Sequence, residues 1–208
     1  LIIGKILSYH TFFSFFIILS LIFFVGIIDD KYSVNANLKF FIFILIILSS
    51  LLIDEEMILS KIRFSFMENE LHLGMLSIPF TILCYLLFIN AVNMFDGINL
   101  QLGSYSFIFL SFLILNNIEI IFCTLMLLSI VTYIILNFRN MSFMGDSGSL
   151  MLAYIFGYIS IKYYNYNLIQ NADEIFLLML IPGLDLLRVT IIRIIKKQSI
   201  FNPDRIHI

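Results

Sequence analysis

Six stretches of this chain contain no Asp, Glu, Lys or Arg, and most of them are long enough to cross a lipid bilayer. They cover residues 6–28, 40–53, 71–95, 97–118, 120–138 and 147–161. A spanning helix needs about 20 mostly apolar residues. Hydrophobic residues make up 61% of the 208 residues and charged residues 12%, a balance that water-soluble domains do not show. The chain is therefore predicted to be an integral membrane protein.

A seventh apolar segment, residues 175–195, is interrupted near its centre by Pro182, Gly183, Asp185 and Arg188. A proline inside a helix removes a backbone hydrogen bond and kinks the helix. The sixth stretch continues past Lys162 to Tyr166. The expected fold class is thus an all-α polytopic membrane protein of about seven transmembrane helices, the last one bent.

Residues 54–76 have a different pattern. Apolar side chains alternate loosely over residues 58–66, as they do in a strand, and Glu68-Asn69 supply a turn. A short extracytoplasmic β-hairpin is predicted there.

The basic residues are distributed unequally between the two sides of this arrangement. When the loop of residues 29–39 is cytoplasmic, eight of the 12 Lys and Arg residues lie on or beside that side, as the positive-inside rule favours. The polar motifs then share the cytoplasmic face, at residues 29–30, 90–97, 145–149 and 203–207. Ionisable residues at membrane depth are costly and usually functional, so this face is predicted to bind a divalent cation and an anionic substrate.

Asp29 and Asp30 are adjacent carboxylates, which repel each other unless a cation neutralises them. Mg²⁺ prefers oxygen ligands, typically one or two carboxylates together with substrate phosphates. Asn90, Asn93 and Asp96 recur at every third position and share one face of the third helix. Their polar groups need partners, which are either a ligand or a polar seam between helices.

The sequence Gly145-Asp146-Ser147-Gly148-Ser149 precedes the sixth helix. A helix N-terminus favours a bound anion such as phosphate, and a simple N-cap role for Asp146 is the alternative. A serine-protease site is excluded because the next residues enter the membrane and no His/Asp pair completes a triad. A net charge of −2 without a basic stripe gives no indication of a nucleic-acid partner.

In order and spacing these motifs resemble the polyprenyl-phosphate N-acetylhexosamine-1-phosphate transferases, in particular the WecA/TagO-like branch. The matching segments read GIIDDK at 26–31, NAVNMFDGINL at 90–100, FMGDSGS at 143–149 and SIFNPDRIHI at 199–208. The resemblance implies transfer of an N-acetylhexosamine-1-phosphate, GlcNAc-1-phosphate first among them, from a UDP-sugar to undecaprenyl phosphate, with release of UMP. This would be the first step of a lipid-linked cell-envelope glycan.

The resemblance further implies Mg²⁺, or Mn²⁺, as cofactor, a multi-pass protein of the bacterial inner (plasma) membrane, and an active site on its cytoplasmic face. It does not decide whether the protein forms a homodimer. The catalytic residues it implies are Asp29, Asp30, Asp96 and His207. The metal ligands it implies are Asp30, Asp96 and Asp146. The substrate-binding residues it implies are Asn90, Asn93, Asn99, Asn137, Phe143 and Arg205.

The chain departs from the family pattern at three positions. Asn99 stands where the family has a second Asp, and Leu100 stands where the family has the Gly that follows it. Because Asn keeps an acceptor oxygen, altered rather than lost donor binding is expected. Asn37 stands where the family has a basic residue, with Lys39 nearby. Because the chain begins without Met and stops within the last motif, residues 1–208 are interpreted as one integral membrane catalytic domain, truncated at both ends.

Three other functions stay open on the sequence. An anion or sugar-phosphate transporter would place its polar residues near the midplane, in repeated halves, whereas here they lie at helix ends. A CDP-alcohol phosphotransferase would need a run of spaced Asp residues that this sequence does not have. A catalytically inactive relative or assembly subunit would follow if Asn99 abolished the chemistry.

Overall fold

The computed structural model describes residues 9–196, and the side chains of residues 12–196. Seven α-helices run through this part of the chain: α1 (Tyr9–Tyr32), α2 (Ala36–Ile53), α3 (Ser77–Phe95), α4 (Gln101–Leu115), α5 (Ile120–Phe138), α6 (Gly145–Asn165) and α7 (Ala172–Ile195). The predicted all-α architecture is confirmed. Arg205 and His207 lie outside the described residues.

Five of these helices, α1, α2, α3, α5 and α7, are long and apolar enough to cross a membrane. The other two helices, α4 and α6, do not meet both criteria of length and apolarity, for separate reasons. Helix α4 has 15 residues and a length of about 22 Å, which is shorter than the hydrocarbon core. Helix α6 is long, but its sequence is less apolar than those of its neighbours.

Helix α6 is the central element of the bundle. All residues from 152 to 164 are buried, and the helix packs most extensively against α1 and α3. At Gly157 a Cβ atom would lie 2.7 Å from the ring of Tyr85, so the glycine lets α3 approach closely. Because neighbouring helices surround α6, it needs no lipid-compatible outer face and can carry charged residues near both ends.

Between α2 and α3 the chain forms the predicted hairpin, in a shorter form than the alternation suggested. Strand β1 (Lys61–Ile62) pairs antiparallel with β2 (Leu71–His72), with Lys61 opposite His72. The pairing stops at Arg63 because the backbone of Arg63 binds elsewhere. Its N–H donates to the Tyr164 hydroxyl at 2.6 Å, and its carbonyl accepts from the Ala172 N–H at 2.7 Å. These contacts fasten the hairpin to the end of α6 and the start of α7.

The segment before α3 and the helix around Pro182 bear on two further predictions. Residues 71–76, which belong to the predicted hairpin segment 54–76, form β2 and a 3₁₀ turn, Gly74–Leu76, and α3 begins at Ser77. Helix α7 continues through Pro182 from Ala172 to Ile195. The bend expected at Pro182 stays a prediction.

A buried ion pair joins the end of α2 to α6 near the hairpin. The Lys162 ammonium lies 2.7 Å from Asp54 Oδ2, and the Tyr158 hydroxyl donates to the same oxygen at 2.9 Å. Lys162 and Asp54 are 1% and 3% exposed. Glu56 approaches the same ammonium at 3.3 Å. This cluster fixes the connection that leaves α2.

Candidate active site

Three of the four polar motifs meet at the end of the bundle opposite the hairpin. Helices α1 and α3 end there, and α6 begins there. Hydrogen bonds link Asp30 of the first motif and Asn93 of the second to the first turns of α6. The hairpin contacts the far end of α6, about 25 Å away along its axis. The prediction that these three motifs share one face is confirmed.

A glycine brings the end of α1 against the start of α6. At Gly26 a Cβ atom would lie 2.3 Å from the Ser147 Cα, so a side chain there would collide with the α6 backbone. This close contact places the Asp30 side chain at the N-terminus of α6. Asp30 Oδ1 accepts from the Asp146 N–H at 2.8 Å, and Oδ2 accepts from the Ser147 N–H at 3.1 Å.

Asp30 therefore satisfies amides that have no partner within α6, and its negative charge is favourable at a helix N-terminus. This finding corrects the expectations for the Gly-rich segment. The amides expected to hold a phosphate donate to Asp30. Asp146 lies in the first turn of α6 and is not its N-cap. Gly145 has a φ of +67°, which a residue with a side chain adopts only at a cost.

Lys39, in the first turn of α2, joins two of the predicted acidic residues. Its ammonium contacts Asp29 Oδ2 and lies 2.9 Å from Asp146 Oδ2. The other oxygen of each carboxylate has its own donor: the Val34 N–H at 2.8 Å from Asp29 Oδ1, and the Asn93 amide at 3.0 Å from Asp146 Oδ1. Both carboxylates are thus held in place by donors of the protein.

Asn93 and Ser149 complete this network. The Asn93 amide that binds Asp146 also donates to the Ser149 hydroxyl at 2.9 Å, and Ser149 is fully buried. Asn93 therefore fixes the rotamer of Asp146 from α3. Asn90, one turn earlier on α3, is exposed and takes no part in these contacts.

Asp96, just after α3, lies beside the same network. Its pKa is raised to about 7, because burial disfavours the charged form and the charges of Asp146 and Asp30 add to the effect; a hydrogen bond from the Gly145 backbone amide offsets part of it. A nearby cation would strongly stabilise the charged form of a carboxyl group in such surroundings.

The predicted nucleotide-pocket residues form a second group beside the site. Asn137 is buried; its Oδ1 accepts from the Leu100 N–H, and its Nδ2 donates to the Ser142 carbonyl, both at 2.7 Å. Asn137 thus joins the loop before α4 to the loop before α6. Asn99 donates to Asn140 in the same region. Phe143 is 69% exposed and free to contact a ligand.

The carboxylates of the site offer a divalent cation only part of its ligands. Within residues 9–196, no group of three or more His, Cys, Asp or Glu side chains is close enough to hold a metal ion. Asp30, Asp96 and Asp146 are neighbours without forming such a group, and both Asp30 oxygens accept from amides. Asp29 and Asp146 converge on one point. Two carboxylates fit Mg²⁺ when substrate phosphates supply further oxygens.

Three residues of the site were not identified as functional from the sequence. Gly26 and Ser149 lie inside the motifs at 26–31 and 143–149, but the sequence assigns them no role, because they act through close packing and a buried hydroxyl. The sequence does mark Lys39 as unusual, because it is a lone charged residue at the start of an apolar helix. Its link to Asp146 joins positions 107 residues apart, which the sequence does not reveal.

The chain was compared with known proteins. The family model described as "Glycosyl transferase family 4" matches residues 12–164. A "Probable undecaprenyl-phosphate N-acetylglucosaminyl 1-phosphate transferase" of Bacillus subtilis (strain 168) is 30% identical over 192 residues, covering 88% of this chain and 53% of the relative.

Two further relatives carry the name "Undecaprenyl-phosphate alpha-N-acetylglucosaminyl 1-phosphate transferase". The protein of Yersinia pestis is 28% identical, over 90% of this chain and 54% of the relative. The protein of Escherichia coli (strain K12) is 28% identical, over 89% of this chain and 53% of the relative. The chain thus spans about half the length of the curated relatives it matches. No solved structure gives a significant match.

Proposed function

The chain belongs to glycosyl transferase family 4, and from this premise we propose that the protein transfers N-acetylhexosamine-1-phosphate from a UDP-sugar to undecaprenyl phosphate. GlcNAc is the proposed sugar, because the relatives are named for it. The observation that carries the proposal is the convergence of Asp29, Asn93 and Asp146, from three separate motifs, on one end of the helix bundle.

In this reaction a phosphate oxygen of the lipid attacks the β-phosphorus of the UDP-sugar. A new P–O bond forms, the bond to the α-phosphate oxygen breaks, and UMP leaves with the electron pair of that bond. Such a transfer depends on positioning and charge neutralisation rather than on covalent chemistry by the protein. The acceptor is a phosphate monoester with a second pKa near ~6 and is already mostly ionised at pH 7, so the demand on a general base is small.

The described residues divide this work between them. Asp29 and Asp146 are the proposed ligands of Mg²⁺, which when bound neutralises and orients the diphosphate. Asn93 holds Asp146 in its rotamer, and Asp30 holds the start of α6 against α1. Asp96 adds a half-buried carboxyl group beside them. We assign Asn99, Asn137 and Phe143 to the nucleotide side of the site, and Arg205 and His207, outside the described residues, to the phosphates.

The position of the site suits an amphiphilic acceptor. Long apolar helices end at the carboxylates, so a phosphate at the bilayer surface can reach them while its polyprenyl chain stays in the hydrocarbon. The family and the apolar helices identify a multi-pass membrane protein. We place the site on the cytoplasmic face of the bacterial plasma membrane, where the basic loops favour it and where a UDP-sugar is available.

The test is release of UMP by the full-length protein in membranes, with undecaprenyl phosphate, a set of UDP-N-acetylhexosamines, and Mg²⁺ or EDTA. We expect release that requires the lipid, the metal and Asp146, and that is abolished by Asp146→Asn. Asp185→Asn is the control, because Asp185 pairs with Arg188 on α7 and belongs to none of the site's contacts. No release with any donor from folded protein, or full activity of Asp146→Asn, would refute the assignment.

A further inference from the structure

Lys39 occupies the point at which the two proposed metal ligands face each other. One oxygen of each carboxylate accepts from a fixed donor of the protein, the Val34 amide for Asp29 and the Asn93 side chain for Asp146. The two remaining oxygens, Oδ2 of Asp29 and Oδ2 of Asp146, both contact the Lys39 ammonium. A divalent cation that bridges the two carboxylates would use these same two oxygens.

We propose that Lys39 is a built-in counter-ion that holds the Asp29–Asp146 pair together without metal and is displaced when a divalent cation binds. The inference rests on the proposed function, because it takes Asp29 and Asp146 as metal ligands. It adds a competition between a side chain and the metal for two identified oxygen atoms.

The chemistry of the lysine side chain suits this role. Two carboxylates this close repel each other, and here each is held by a donor on a different element, so the pair needs a cation to keep its geometry. An ammonium is a compact charge on a flexible four-carbon stem, which can turn away without movement of the α2 backbone. The Lys39 side chain is 18% exposed, so solvent lies within its reach.

Displacement also leaves a free cation beside the site when the metal is present. Mg²⁺ keeps open positions for phosphate oxygens, and a released Lys39 ammonium can pair with the same diphosphate. In the metal-bound site, the metal would replace Lys39 between the two carboxylates, and the Lys39 ammonium would become a second cation that faces the substrate.

The direct test measures Mn²⁺ binding by electron paramagnetic resonance. It uses the full-length protein in nanodiscs without substrate. Lys39→Gln removes the competing charge and keeps a polar side chain of similar length. We expect it to lower the Mn²⁺ Kd at least about fivefold, the low end of ordinary coupling between two ligands. Lys31→Gln is the matched control, because Lys31 is an exposed lysine of the same face that lies over the Tyr32 ring; its Kd should change less than twofold.

A second measurement needs no variant. Brief acetylation of wild-type protein, read by peptide mass spectrometry, reports the accessibility of each lysine amine. Added Mg²⁺ should increase labelling of Lys39 relative to Lys31. Decreased or unchanged labelling of Lys39 would overturn the displacement, as would an Mn²⁺ Kd in Lys39→Gln that equals or exceeds the wild-type value.

The metal assignment and the counter-ion role of Lys39 can fail separately. When Asp146→Asn abolishes Mn²⁺ binding but Lys39→Gln does not tighten it, the metal site stands and the counter-ion role is wrong. Mn²⁺ binding that is absent, or that Asp146→Asn leaves unchanged, in both the wild-type protein and Lys39→Gln would show that the metal assignment itself is wrong. The counter-ion proposal would then be refuted with it.

Discussion

Replacing Lys162 with Met would remove the positive member of the buried cluster at the hairpin end of α6. Lys162 and Asp54 are almost completely buried, and their charged atoms lie 2.7 Å apart. Asp54 Oδ1 has no hydrogen-bond partner even in the intact protein. After the substitution, the Tyr158 hydroxyl remains on Asp54 Oδ2, and the carboxylate would be buried without a counter-ion.

Breaking a buried ion pair from one side costs about 3–5 kcal/mol, because the remaining charge keeps its desolvation penalty. For a chain of this size that free energy corresponds to a fall in Tm of about 6–20 °C. The double variant Asp54→Asn with Lys162→Met removes both charges. We expect it to recover more than half of the loss, since replacing both members of a buried pair is often close to neutral.

The assay is thermal unfolding in detergent, followed by circular dichroism at 222 nm, because the chain contains no Trp for intrinsic fluorescence. Lys61→Met is the control, since Lys61 pairs with Glu70 on the same hairpin but at the surface, and surface pairs contribute little. A Tm for Lys162→Met within 2 °C of that control, or no recovery in the double variant, would refute the reasoning.

Three further outcomes are expected. Gly26→Ala should abolish UMP release and lower Tm, because the new Cβ would collide with the α6 backbone; Gly183→Ala, with open space around its Cβ position, should leave both unchanged. Asn137→Ala should lower stability by about 1–3 kcal/mol, since two backbone groups lose their partner; an unchanged Tm would show that its hydrogen bonds contribute nothing to folding. Asn99→Asp should change the KM for the UDP-sugar, and an unchanged KM would remove the reason for placing this side chain near the nucleotide.

Much of the fold could be predicted from local patterns. Charge-free stretches locate helices because the hydrocarbon core excludes charge and requires every backbone group to be satisfied within a helix. Boundaries were less certain where apolar composition continued beyond the helix. Residues 71–76 are as apolar as α3, yet they form β2 and a 3₁₀ turn, because pairing with β1 competes with helix formation there.

The residue types of the site were also visible in the sequence, because acidic and amide side chains stand out at the ends of apolar helices. Their partners were not. The sequence predicts Asp30 as a metal ligand, and the structure shows that it also caps α6. The sequence predicts Asn137 as a nucleotide contact, and the structure shows that it also joins two loops. Both findings depend on distances between residues far apart in the chain.

The sequence by itself determined the membrane class, the seven helices and the end of the bundle at which the acidic motifs gather, because helix length and alternation of sides follow from composition alone. Only the tertiary structure decided that α6 is the central helix, that Gly26 brings α1 against it, and that Lys39 joins Asp29 to Asp146. The physical reason is that hydropathy reports contact with lipid, whereas helix contacts depend on the shapes of side chains brought together by packing.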